Sequence, residues 1–183
     1  MTRPEEGTAL ASAADGEVTA MRRRTATRGR AWRFLLAVAV AAVTVLVDHG
    51  TKALALAQLS EYERVPLLGD WLGLQLAFNP GTVMSLGADA TWVLTVLAVA
   101  ASIALLIAAT RARTVGWAVA IGLVWGGAVG NLLDRLFAPP GFGSGHVTDF
   151  LAYGSLFIGN LADVILGVGV GLGILLYLRR VDK

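Results

Sequence analysis

Apolar positions along this chain gather into four long blocks separated by polar or turn-forming segments. Thr91 to Ala109 and Val115 to Leu133 are each long enough, at 1.5 Å rise per residue, to cross a hydrocarbon core of roughly 30 Å. Asp163 to Leu178, with a less polar lead-in from about Ser155, predicts another span. The block nearest the N-terminus starts at Trp32. Its uncharged core, Phe34 to Val47, is short, but Ala53 to Leu59 continues the apolar pattern past Asp48 and Lys52. The blocks predict transmembrane helices at about 32–59, 91–110, 114–134 and 155–178.

Other periods fill the connections. Leu72, Leu74, Leu76 and Phe78 alternate with Gly73, Gln75 and Ala77, the period of a half-buried strand. Asn79-Pro80-Gly81 then signals a turn, and the breaker cluster APPGFGSG, Ala138 to Gly145, predicts a loop before the last span. The fold class expected is an all-α membrane protein of four helices, with a small extracytoplasmic β element between helices 1 and 2. Residues 1–30 are polar without apolar periodicity and read as a disordered cytoplasmic tail, leaving a membrane domain at 31–180. The arginine-rich lead into the first block also has the form of a cleavable signal peptide, but three further apolar blocks favour an uncleaved span.

Composition supports the membrane class, since 56% of the residues are hydrophobic and only 15% charged. Charge placement sets the expected topology. Of 15 Lys and Arg residues, seven precede or include Arg33, two (Arg111, Arg113) lie between spans two and three, and three (Arg179, Arg180, Lys183) follow span four. The positive-inside rule makes that side, with both termini, cytoplasmic. Glu61, Glu63, Asp70, Asp89, Asp134 and Asp149 fall in or beside the two outer loops. The net charge of +2 therefore speaks to topology and gives no reason to expect a nucleic-acid partner. Without cysteine there is no thiolate metal site or disulfide, and no metal or cofactor is expected.

Polar side chains at membrane depth are costly, so each needs a partner or a function. Asp48 and Lys52, four apart, share a helix face and can neutralise each other. In WGGAVGNLLDRL, Asn131 stands one turn from Asp134 and Arg135, an adjacent acid and base that can hold the outer loop. Asn160 and Asp163 are three apart near the outer end of span four. Asp149 and Asp163 have no neighbouring cation in sequence. On one continuous helix they would stand roughly 21 Å apart, but Gly154, Ser155 and Gly159 offer places for the chain to fold back. Two carboxylates in contact share a proton, which makes one an acid and the other a base able to activate water against an amide. Otherwise Asp149 caps the next segment and Asp163 pairs with Arg135 or Lys52.

Taken in order, these clusters resemble the lipoprotein signal peptidase, or signal peptidase II, family. DHGTK at Asp48 to Lys52 resembles its Asp-x-x-Thr-Lys motif, and NPGTVMS, which carries Asn79 and Gly81, its Asn-x-Gly-Ala-Ala-Phe-Ser. GGAVGNLLDR from Gly126 to Arg135 matches the third motif in full, while VTDF and GNLAD correspond to Val-x-Asp-Phe and Phe-Asn-x-Ala-Asp. The resemblance covers roughly residues 32–178. It implies that Asp149 and Asp163 are catalytic, with Asp48, Lys52, Asn79, Gly81, Asn131, Asp134, Arg135 and Asn160 shaping the site or positioning substrate. The implied reaction is hydrolysis of the bond before the diacylglyceryl-modified cysteine of a prolipoprotein. The implied setting is the outer face of a bacterial cytoplasmic membrane, with membrane lipids as neighbours and a monomer sufficient for the site. Three departures bear on substrate fit: Thr82-Val83-Met84 for Ala-Ala-Phe, Gly159 for Phe, and a loop expanded by APPGFGSG. Three rival readings remain: a Ser-Lys hydrolase using Ser85 and Lys52, a small proton-coupled carrier using Asp48, Asp134 and Asp163 as relays, and a purely structural membrane subunit, which would tolerate Asn at either catalytic position.

Overall fold

The computed structural model describes residues 4–81 and 91–181. The first helix, α1, runs Pro4–Gln58, and its apolar span begins at Thr27. Residues 4–30, expected above as a tail, continue that helix in the structure; their alanine, glutamate and arginine content favours it. Strands β1 (Val65–Leu68) and β2 (Leu72–Asn79) follow. Helices α2 (Thr91–Thr110) and α3 (Val115–Phe137) lie where the apolar blocks predict them, with α3 one turn longer at its end. Strands β3 (Val147–Tyr153) and β4 (Phe157–Gly159) precede α4 (Leu161–Val181).

The four helices are each long and apolar enough to cross a membrane, as a multi-pass membrane protein requires. Their packing inverts that of a water-soluble bundle. Small residues such as Ala37, Ala41, Ala118, Ala120 and Ala162 are buried between helices, while Leu35, Leu46, Trp92, Leu97 and Ile174 face outward. Lipid tails are as apolar as leucine, so the helices associate by close approach of backbones rather than by burying large side chains. Helix α3 is central and touches α1, α2 and α4. Its glycines 122, 126 and 130 recur every fourth residue against α1, where an added Cβ would come within 2.8 Å of Ala37 O, 2.5 Å of Thr44 Cβ and 2.5 Å of Asp48 Oδ2, respectively. Gly127, on another face, lies as close to Ala162 of α4.

The β element is larger than expected. All four strands form one antiparallel sheet in the order β1-β2-β3-β4, so the connection between α3 and α4 supplies half of it. The last helix accordingly starts at Leu161, six residues later than the apolar pattern placed it. The chain turns back at Gly154, whose φ of 57° is in the left-handed region that glycine adopts without a Cβ clash. Residues 147–150 are all buried, so β3 is covered on both faces and lacks the alternation that marked β2. Ala55, Leu76 and Phe150, with Leu59, Leu74 and Leu161 around them, join the sheet to α1 and α4.

Candidate active site

The sheet register brings the polar clusters together. β2 and β3 pair Ala77 with Asp149, Phe78 with Thr148 and Asn79 with Val147. The β3–β4 hairpin then returns the chain to the start of α4, where Asn160 and Asp163 sit.

Beneath them lies an ionic lock between helices. Lys52 Nζ is 2.7 Å from Asp48 Oδ2, 2.8 Å from Asp134 Oδ2 and 3.0 Å from Asn131 Oδ1. Asp48 is fully buried and Lys52 nearly so, which makes the pairing a condition of holding either charge there. Backbone donors extend the lock. Ala162 N donates to Asp48 Oδ1 at 3.2 Å, satisfying one of the free N–H groups at the start of α4, and Thr148 N donates to Asp134 Oδ2 at 3.1 Å. Asp134 thus pairs with Lys52 and β3, and the expected outer-loop pair of Asp134 with Arg135 is replaced. The reason is geometric: adjacent residues on a helix point in different directions. Arg135 instead reaches the Asn79-Pro80-Gly81 turn, with Nη1 3.5 Å from Pro80 O. A Cβ at Gly81, whose φ is 86°, would lie 3.1 Å from both terminal guanidinium nitrogens. The signal that sequence reading passed over is His49, inside DHGTK, whose Nδ1 is 3.6 Å from Asp48 Oδ2 and whose Nε2 is 3.9 Å from Asp134 Oδ1.

Three asparagines connect this lock and the sheet to Asp149 and Asp163, and each is oriented in the same way. The Asn79 side-chain oxygen accepts from Gly81 N at 2.8 Å, and its amide nitrogen donates to Asp149 Oδ2 at 3.1 Å. The Asn160 oxygen accepts from Asp163 N at 3.0 Å, capping α4, and its nitrogen donates to Asp149 Oδ1 at 2.6 Å. The Asn131 oxygen accepts from Lys52, and its nitrogen donates to Asp163 Oδ1 at 2.8 Å. Because a backbone N–H or an ammonium can only donate, it claims the amide oxygen and leaves the NH₂ group for a carboxylate. Aspartate in any of these places would set carboxylate against carboxylate.

The two acids differ in surroundings. Asp149 is 2% exposed, whereas Asp163 is open at its helix end. Burial pushes the Asp149 carboxyl up from its ordinary value. The hydrogen bonds from Asn160 and Asn79 oppose that rise, the nearby Asp163 charge adds to it, and the Lys52 charge opposes it, but desolvation outweighs the rest. A buried carboxyl that burial makes harder to ionise, beside an open one, is suited to general acid and base work on a polar bond. Asp149 lies in a strand, Asp163 Oδ1 accepts from Asn131, and the Arg135 guanidinium is close enough to both acids to interact with their charges. Thr82, Val83, Met84 and Ser85 lie outside the described residues. At Gly159 an added Cβ would be 3.5 Å from Asp163 Oδ2 and 3.5 Å from the Phe157 ring, so the space beside the acid is not filled by a side chain from that position. Among the described residues no group of three His, Asp or Glu side chains is arranged to hold a metal ion.

Residues 40–179 match a family model described as signal peptidase (SPase) II. The chain is similar to the lipoprotein signal peptidase of Leifsonia xyli, 44% identical over 149 residues that cover 80% of this chain and 69% of that one. It is also 44% identical over 138 residues to that of Bifidobacterium longum, covering 75% of each. Against Streptomyces griseus the identity is 36% over 155 residues, covering 84% of this chain and 79% of its relative. Among solved structures, a bacterial membrane enzyme determined by the in meso method superposes with a TM-score of 0.65 at 25% identity, covering 78% of this chain and 87% of that one.

Proposed function

Because the chain belongs to the signal peptidase II family, we propose that Asp149 and Asp163 are the catalytic carboxylates with which it hydrolyses the bond before the diacylglyceryl-modified cysteine of a prolipoprotein. The enzyme is an aspartic-type lipoprotein signal peptidase, which removes signal peptides from prolipoproteins. The observation that carries the assignment is the return of the chain through β3 and β4. It sets Asp149 against Asn160 at 2.6 Å, three residues before Asp163 and one helical turn from it.

The resting pair holds one proton. Burial raises Asp149 and so favours the proton there, and Asp163, with its Oδ1 fixed by Asn131, takes the part of the base. Asp163 takes a proton from water as its oxygen adds to the scissile carbonyl carbon, while Asp149 gives its proton to the carbonyl oxygen. On collapse, Asp163 passes the proton to the leaving amine nitrogen, Asp149 recovers its own from the hydroxyl, and the C–N bond breaks. Each acid ends as it began.

Two apolar cavities are lined by the chain neighbours of Asp149, Thr148 in one and Phe150 in the other. One of about 520 Å³ lies between Leu56, Phe78, Pro139, Pro140 and Thr148, and one of about 200 Å³ between Leu54, Leu59, Leu74 and Phe150. Both are suited to the acyl chains of a lipidated cysteine, so Leu74→Asp raises KM for lipidated substrate with little effect on kcat; an unchanged KM counts against that cradle. The arginine-rich ends of the helices face the cytoplasm by the positive-inside rule, which puts the acids at the outer face. A monomer suffices, since one chain supplies every group named. The test of the catalytic assignment compares wild type, Asp149→Asn and Asp163→Asn in detergent, on prolipoprotein with and without diacylglyceryl. Both variants fold and fail to cleave, and wild type acts only on the lipidated form; cleavage at the wild-type rate by either variant overturns the assignment.

A further inference from the structure

At the opposite end of the bundle lies a site that the chemistry does not use. A cavity of about 680 Å³ is lined by Thr27, Arg30, Arg33, Arg111, Ala112 and Arg113. A neighbouring one of about 330 Å³ is lined in part by Arg111, Arg113, Trp117 and Arg180. Five arginines from three parts of the chain therefore converge there. From Val115 to Asn131 along α3 is roughly 24 Å, so this cavity is remote from the aspartates.

Two of these arginines are held in place. Arg30 Nε donates to Thr110 O at 2.8 Å and Arg33 Nε to Ala112 O at 2.9 Å, both at the carbonyl-rich end of α2. These bonds use only Nε. The terminal nitrogens of both guanidinium groups have no protein acceptor, and none of the five arginines has an ion-pair partner, among the described residues. The positive end of the 23-residue helix α3 opens at the same place, with Thr114 as its cap. Like charges gathered without a counterion among the described residues repel, so the arrangement favours an anion held between them. Paired guanidinium forks match the oxygens of a phosphodiester.

The walls identify the source. Leu35, Ile103 and Ile107 are exposed on the apolar stretches of α1 and α2 that lead away from the arginines, Trp32 is exposed between Arg30 and Arg33, and Trp117, beside Arg111 and Arg113 in the smaller cavity, is an amphipathic ring of the kind that favours the headgroup level. A free phosphate has no use for this apolar border; an acyl chain does. We propose that the cavity binds the headgroup of an anionic phospholipid from the leaflet that the arginine-rich end meets, with its acyl chains along the outward faces of α1 and α2.

The experiment uses the full chain in a neutral detergent, offered equimolar phosphatidylglycerol and phosphatidylcholine, with retained lipid counted by native mass spectrometry. Wild type retains the anionic lipid at least about tenfold over the zwitterionic one, and the double variant Arg111→Gln, Arg113→Gln weakens that retention by about thirtyfold, the expectation for two basic residues near a lipid surface. Cleavage of lipidated prolipoprotein in detergent is unchanged, because neither residue touches the aspartates. Equal retention of the two lipids, or full retention by the double variant, overturns the proposal. So does a thermal stabilisation by millimolar inorganic phosphate equal to that by phosphatidylglycerol, which makes the cavity a site for soluble anions. Should the double variant not fold, the wild-type competition between the two lipids decides alone.

Discussion

Replacing Asn79 with alanine separates the roles of the two aspartates. The Asn79 amide touches only Asp149, at 3.1 Å, and the Gly81 N–H, at 2.8 Å, so its loss leaves the α4 cap and the Lys52 lock intact. A hydrogen bond to a carboxylate favours its ionised form. Such bonds are worth about 1.5–3 kcal/mol. This one is long and joins a partly exposed donor, so the lower end applies, about 1.5 kcal/mol, which corresponds to about one pH unit. Asp149 without Asn79 therefore holds its proton to higher pH. If protonated Asp149 is the acid, the alkaline limb of the kcat–pH profile for lipidated prolipoprotein moves up by about one unit while the acid limb stays. If Asp149 were the base, the acid limb would move up instead, and activity near neutrality would fall. Asn160→Ala moves the same limb further, because its bond is 2.6 Å, and destabilises the fold by a further ~1 kcal/mol through the lost cap. A profile in which Asn79→Ala moves neither limb, or moves the alkaline limb down, refutes the reasoning.

The remaining predictions concern stability. Lys52→Met leaves fully buried Asp48 without its cation and lowers unfolding free energy by about 3–5 kcal/mol; a loss under about 1 kcal/mol in thermal or denaturant unfolding means the lock is not a structural element. Gly130→Ala puts a methyl 2.5 Å from Asp48 Oδ2 and costs about 1–3 kcal/mol, whereas Gly50→Ala, with nothing within 4 Å, is neutral or slightly stabilising. Equal Tm values for the two alanine variants would show that α1 and α3 are not closely packed there. Since burial raises Asp149 in the folded chain, folding favours its protonated form, so the stability it contributes is full below the ordinary carboxylate value near ~4 and is lost as pH rises through the folded value. Relative to Asp149→Asn, wild type therefore loses Tm between acid and neutral pH; a relative gain over that range contradicts the burial argument.

The spans, the arginine-rich end and the nine polar site residues of the motifs were legible before any coordinates, because each rests on local composition. A block such as Thr91 to Ala109 is apolar enough to enter a bilayer whatever its neighbours do, and Asp48 with Lys52 share a helix face through spacing alone. The hairpin at Val147 to Gly159 was not legible as strands, because a strand buried on both faces by other elements has no hydrophobic period of its own. Its place in the sheet comes from pairing with β2, some seventy residues earlier in the chain. The chain alone could offer Gly154 and Gly159 as points to fold back, and the resemblance could name Asp149 and Asp163. Only the tertiary structure distinguished the two acids: burial among β2, β3 and Asn160 raises Asp149, and the open first turn of α4 leaves Asp163 exposed. A carboxyl's protonation depends on solvent and charges within a few ångströms in space, and those neighbours come from three helices and two strands that no stretch of sequence contains together.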